Sequence, residues 1–195
     1  MATKENKMLA KFMRDTFGGN TNAATVFTYK KNDESLSIPI LSCPESPWEG
    51  FKTYATIGLS DYPMYDDGED EEFHVRLEII GVSTSDIDWF PNILATCGFY
   101  LIQEGWLFSP GYVLKNIAPV YDPDIQLKHV YFSEPFVWEE LHPLQLETKK
   151  VAWLLCILIS DAECDYREQN GSDKFETLLE SNDVQIFDLA RKSVL

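Results

Sequence analysis

Apolar and polar positions along this chain follow two periods, and the strongest apolar signal comes late. The stretch VAWLLCILIS, residues 151–160, opens with nine apolar residues in a row and gives way abruptly to acidic positions. A run that is apolar on both faces and rich in Leu, Ile and Val predicts a central strand covered on two sides, because a strand with one solvated face alternates. It is too short for a membrane span, which takes roughly 20 apolar residues, and Lys149, Lys150 and Asp161 bound it. Ser160 and Glu163 follow with the S-x-x-E spacing, in which the hydroxyl caps the Glu163 amide and the carboxylate reaches back. Strand should therefore turn directly into helix.

Elsewhere the pattern is read segment by segment. Lys4–Phe17 predicts a first helix, with Leu9, Phe12, Met13 and Phe17 inward, Lys4, Lys7, Lys11 and Arg14 outward, and Gly18 and Gly19 as its stop. Residues 24–29 and 36–43 predict strands, and Pro39 places the second near an edge. Trp48 sits in a loop bracketed by Pro44, Pro47 and Gly50, and residues 51–59 predict the next strand, with a polar exit through Ser60, Asp61 and Tyr62. In FHVRLEIIGV, residues 73–82, Phe73, Val75, Leu77 and Ile79 alternate with His74, Arg76 and Glu78, the mark of a half-buried strand. A helix capped by Asp88 should run to about residue 103 on an inner stripe of Ile87, Phe90, Leu94, Cys97 and Leu101. Gly98 inside it costs roughly 1 kcal/mol relative to Ala, which points to close packing at that position. Residues 129–132 predict a short strand and Ser172–Ser181 a last helix, with Phe175, Leu178 and Leu179 inward. The result is an α+β fold: one compact domain with a mixed β-sheet flanked by helices, comprising an N-terminal helix and turn over residues 1–23 and the domain proper over 24–195.

Charge changes the picture more than composition does. With 32 acidic against 16 basic side chains, the formal net charge is -16. That balance excludes direct nucleic-acid binding, which needs Lys and Arg to displace counterions from phosphate, and disfavours anionic membranes. It suits capture of a basic protein. The four cysteines form no C-x-x-C pair and read as reduced and structural, and the N-terminus lacks the long apolar core of a signal peptide, so a cytoplasmic protein is expected.

Catalytic and metal signatures are absent. There is no phosphate loop and no dinucleotide fingerprint. Gly58-Leu59-Ser60 begins like a nucleophile elbow, but Tyr62 stands where the second glycine belongs, so Ser60 reads as a turn residue. His74, His129 and His142 have no zinc-ligand spacing, and the acidic run DDGEDEE at residues 66–72 has its glycine third, where a calcium loop needs it sixth. Asp161, Glu163 and Asp165 are explained by the first turn of a helix. No cofactor and no metal are expected, and a hydrolase built on Asp61 and a histidine has little to motivate it.

TYATIGLSDYP, HVRLEIIGV, SPGYVLKN, HVYFSEPF and the C-terminal block LLCILISDAECDYREQNGSDKFETLLESNDV followed by LARKSV together resemble the suppressor-of-fused-like domain, from about residue 24 onward. The C-terminal block, with Gly171 and a final element at Arg191 and Ser193, is its most specific part. The resemblance implies a mixed sheet flanked by helices and a protein that binds other proteins. The animal member named for the fold restrains a transcription factor, and small bacterial members resemble immunity proteins that neutralise polymorphic toxins. This chain is similar to the antitoxin of an LXG-type nuclease toxin.

The expected function is therefore that of an immunity protein that binds a cognate basic toxin domain, a nuclease. The alternative is a cytoplasmic scaffold that holds an extended peptide of a partner. On charge, the expected contacts are Asp66, Asp67, Glu69, Asp70, Glu71 and Glu72, although a solvated hairpin tip explains the same run equally well. Trp48 and Tyr62 join them as candidate aromatic anchors.

Overall fold

The computed structural model describes residues 3–31, 33, 35–65, 74–105 and 108–195. Among these residues the chain forms an eight-stranded mixed sheet: β1 (Thr25–Lys30), β2 (Ser37–Pro44), β3 (Phe51–Thr56), β4 (Val75–Thr84), β5 (Val113–Leu114), β6 (His129–Ser133), β7 (Leu144–Gln145) and β8 (Lys150–Ile159). The strand order is β1-β2-β3-β4-β8-β6-β5, with β7 also paired to β8. β4 and β8 run parallel; every other pairing is antiparallel. Helices α1 (Lys4–Phe17), α2 (Phe90–Glu104), α3 (Asp161–Asn170) and α4 (Ser172–Ser181) cover the sheet.

β8 is the central strand that its apolar run predicts, and its period of two divides the molecule into two cores. Leu154, Cys156 and Leu158 face the layer that contains α2, together with Ile93, Leu94 and Leu101. Val151, Trp153, Leu155, Ile157 and Ile159 face the layer that contains Leu9 and Met13 of α1, Cys164 of α3, and Phe175 and Leu179 of α4. Gly98 is where α2 comes closest to the sheet side: a Cβ there would stand 2.5 Å from Ile38 Cδ1. α2 starts one residue later than expected, with Trp89 rather than Asp88 at the cap position and no side-chain cap bond, and Pro91 occupies its first turn. Leu178 is only half-buried, whereas Phe175 and Leu179 are buried as expected. All four cysteines are free and buried, and burial raises their thiol pKa values, that of Cys43 to about 11.

β4 departs from the half-buried strand its alternation predicts. The polar side is solvated only at its start: His74 is exposed and Arg76 half-buried, whereas Glu78 is wholly buried. The reason lies at the end of β3, which stops at Thr56, three residues short of the expected boundary. Gly58 takes a left-handed backbone (φ 84°) and starts a 3₁₀ turn over Leu59–Asp61. That turn aims its free amides at Glu78. Oε1 accepts from Gly58 N (2.8 Å), Ser60 N (3.1 Å) and Ser60 Oγ (2.7 Å), and Oε2 from Thr56 Oγ1 (2.6 Å) and Leu59 N (3.3 Å). Burial without a cation pushes the carboxyl up to about 7, although the Thr56 and Ser60 bonds pull the other way.

The second buried carboxylate has the opposite arrangement. Ser160 and Glu163 form the expected capping box, Ser160 Oγ accepting from Glu163 N (3.1 Å) and Glu163 Oε2 from Ser160 N (3.0 Å). Glu163 also receives Arg191 Nη1 at 2.7 Å and Nη2 at 2.9 Å, and the Val194 amide at 3.0 Å. Arg191 Nη2 donates besides to Leu158 O (3.0 Å), and Ser193 Oγ pairs with Ser160 Oγ (2.7 Å). Burial raises the Glu163 pKa, but the guanidinium and the amides outweigh it and hold the carboxyl below its ordinary value. The C-terminal arginine and serine thus anchor the tail to the strand-to-helix corner.

Two stability measurements follow from these carboxylates. Arg191→Leu leaves Glu163 buried without its cation and should cost about 3–5 kcal/mol in urea denaturation; a loss under about 1 kcal/mol would contradict the buried pairing. Glu78 carries the other sign. The unfolded chain releases this proton near its ordinary value of 4.5 and the folded chain near 7, so between them the native state holds more protons. Stability should fall across that window as pH rises, by up to about 3 kcal/mol, and Glu78→Gln should flatten the slope.

Candidate partner-binding surface

A groove of about 820 Å³ lies on the sheet face that carries α1, α3 and α4. Its floor is sheet: Phe51 opens β3, Thr84 closes β4, Tyr131 and Ser133 lie on β6, and Ile157 lies on β8. One wall is α4 and the turn after it, which contributes Val184, Ile186 and Phe187. Trp48, in the turn between β2 and β3, and Phe136, just past β6, also line the groove.

Local geometry holds Trp48 in place. The turn before Trp48 contains a cis Ser46–Pro47 bond and is tied down by Ser46 Oγ, which donates to Phe17 O (2.9 Å) and pairs with Thr53 Oγ1 (2.9 Å). The Trp48 ring meets Phe51 edge-on at 5.9 Å and Phe187 at 6.2 Å, yet the residue stays 55% exposed. Phe136 is 64% exposed. Large apolar residues this open, beside a cavity, leave apolar surface that a partner can cover.

The charged groups that line the groove are of one sign. Glu176, Glu180, Asp183 and Asp188 line it, and among the described residues no lysine, arginine or histidine does. Glu176 Oε1 accepts from Tyr131 OH (2.7 Å) and Ser133 Oγ (3.1 Å), and Asp188 Oδ1 from Ala190 N (2.9 Å). Burial first, and then the bond to Glu176, raises the Tyr131 hydroxyl pKa, so it stays a donor. Asp183 has a left-handed backbone, φ 48°.

Of the residues expected at the contact surface, Trp48 lies in this groove. Tyr62 does not; it closes the 3₁₀ turn, half-buried, with its amide on Leu59 O at 3.1 Å. Asp66, Asp67, Glu69, Asp70, Glu71 and Glu72 lie outside the described residues. The candidate hydrolytic groups are held by neighbours: Ser60 by Glu78, and Asp61 by Lys149 and by Asn6 Nδ2 at 2.8 Å, with no histidine among its hydrogen-bonding or ionic partners. His129 is buried, its Nδ1 accepting from Asn116 N (3.0 Å) and its Nε2 facing Asp161 Oδ1 (2.9 Å). Asp161 also pairs with Lys128, and its carboxyl is held below its ordinary value by Lys128 and then His129. Among the described residues no group of three His, Cys, Asp or Glu side chains is placed to hold a metal ion, and no helix is long and apolar enough to cross a membrane.

Sequence reading missed the groove's acidic wall, although it left a trace. Glu176 and Glu180 are like charges four apart on α4, and Glu180 lies in its last turn, where the helix dipole favours a cation. Helix stability does not account for them there.

Comparison with known proteins gives a consistent answer. The Suppressor of fused protein (SUFU) family matches residues 34–192. The protein named Immunity protein YqcF, from Bacillus subtilis (strain 168), is 38% identical over 194 residues, covering 99% of this chain and 98% of its own. Among solved structures, a putative SUFU homolog from Neisseria gonorrhoeae FA 1090 superposes with a TM-score of 0.68 at 15% identity, covering 98% of this chain and 96% of that one. A chain of the Sufu–Fu complex does so with a TM-score of 0.68 at 12% identity, covering 96% and 91%. The chain belongs to the Suppressor of fused protein family.

Proposed function

We propose that this chain is an immunity protein: it binds a cognate toxin in the cytoplasm and blocks it, without catalysing a reaction itself. The observation that carries this reading is its end-to-end relationship with a protein named as an immunity protein. The net charge of -16 supports a basic toxin. A nuclease fits best, since it keeps a positive groove for phosphate that an acidic protein can occupy.

The second reading, a scaffold that holds an extended segment of a partner, is supported by the likeness in fold to a chain that assembles in the Sufu–Fu complex. Salt separates the two. A charge-steered toxin should bind faster at low ionic strength, whereas a segment held by backbone bonds and side-chain pockets should show little dependence.

The deciding experiment co-expresses the chain with candidate toxin domains in a sensitive host and scores growth. Rescue from one basic nuclease, whose activity on DNA or RNA the purified chain then inhibits, is the expected result; no rescue from any of them would refute the reading. Changing Asp66, Asp67, Glu69, Asp70, Glu71 and Glu72 together to Asn and Gln should slow association with that toxin by about tenfold or more at low salt and flatten its salt dependence. Unchanged kinetics would remove the run from the contact surface.

A further inference from the structure

The groove combines two features that point to one kind of occupant. Trp48, packed on Phe187, and Phe136 both stand open to solvent beside the groove, so its apolar part lacks a cover. The α4 side is negative for reasons that add together. Glu176 and Glu180 line the cavity, Glu180 occupies the last turn of α4, at the negative end of the helix dipole, and Asp183 follows shortly after. Neither Glu180 nor Asp183 has a salt-bridge partner within the described residues. The wall therefore places like charges together at a helix end that disfavours them, beside exposed rings. A cation arriving from outside relieves the repulsion, and an apolar side chain arriving with it covers the rings.

We infer that this groove seats a basic segment of the toxin, one aromatic or large aliphatic side chain covering the open faces of Trp48 and Phe136 while a flanking lysine or arginine meets Glu176, Glu180 and Asp183. The inference rests on the immunity reading and makes it more specific, assigning the anchor of the interface to the groove rather than to the acidic run at residues 66–72. Arginine suits the site better than lysine, because its planar fork can bond a carboxylate with two parallel N–H groups and also stack on an indole.

The test uses the full chain, the toxin domain whose growth arrest it relieves, and two double variants on the protein surface. Trp48→Ser with Phe136→Ser removes the rings, and Glu180→Lys with Asp183→Lys reverses the wall; circular dichroism melting checks that each remains folded. Each pair is expected to weaken toxin binding by about 30-fold or more and to abolish growth rescue, as loss of an interface hot spot does. Binding within about threefold of the wild type for both pairs would overturn the inference while leaving the immunity reading intact. Failure of the wild-type chain to relieve any toxin would refute the immunity reading instead, and a measurement on the chain alone keeps the two failures apart. Amide shifts are recorded with the peptide Lys-Arg-Phe-Leu-Arg-Lys and with a counterpart whose basic residues are glutamates. Shifts centred on Phe136, Asp183 and the Trp48 indole, from the basic peptide alone, support the groove's chemistry. Shifts elsewhere, no shifts, or equal shifts from both peptides overturn it, as would self-association of the chain that the ring variants abolish, which would make a second copy the occupant.

Discussion

Burial of both faces of β8 is the constraint on which the rest of the molecule depends. Its side chains alternate between two apolar layers, so neither face can be left to water, and the chain must cover both. On one side α2, with Gly98 letting it settle against Ile38, shares the cover with buried residues such as Phe108, Ile117 and Leu127 from the segment that follows it. The other side is covered by α1, α3 and α4. Three helices arriving from opposite ends of the chain do not tile a sheet evenly, and the groove is the space left between α4 and the aromatic turn at Trp48.

The same constraint explains why two carboxylates are buried and why they are treated differently. Glu163 sits where β8 hands over to α3 and needs a charge partner, which Arg191 supplies from the C-terminal segment. Glu78 sits in mid-sheet among amide and hydroxyl donors, with no salt-bridge partner among the described residues, and burial makes its neutral form persist to higher pH. Acidification therefore pulls the two in opposite directions: it protonates Glu163 against its partner and satisfies Glu78. Both connect separate parts of the fold. Glu78 fixes the 3₁₀ turn whose Asp61 holds Asn6 of α1 and Lys149 beside β8, and Glu163 fixes the tail.

Features legible in the sequence were those decided within a few residues. The two-faced run of β8, the capping box at Ser160 and Glu163, the bounds of α1 and α4, and the tight approach at Gly98 depend on local pattern, and the structure bears each one out. Glu78 was misread because alternation shows which residues share a face but not what arrives to cover it, and the turn at residues 58–61 comes from another strand. The groove was largely illegible for the same reason. Its walls come from residues 48, 136 and 176–188, brought together only by the sheet order. Trp48 was singled out as a candidate aromatic anchor, but nothing in the sequence joined it to Phe136 or Glu180.

Charge and shape act on different parts of binding, and this chain separates them physically. A net charge of -16 acts at long range, accelerates encounter with any basic protein, and weakens as salt screens it. It cannot by itself choose among basic partners. An apolar cleft with exposed rings acts only at contact, where it slows dissociation and rejects a partner without a fitting side chain. An immunity protein needs both, because the toxin must be met before it acts and then held. Specificity should accordingly be concentrated in the groove, whose walls can change side chain by side chain without disturbing β8, while the acidic field is spread over many residues and tolerates the loss of any one.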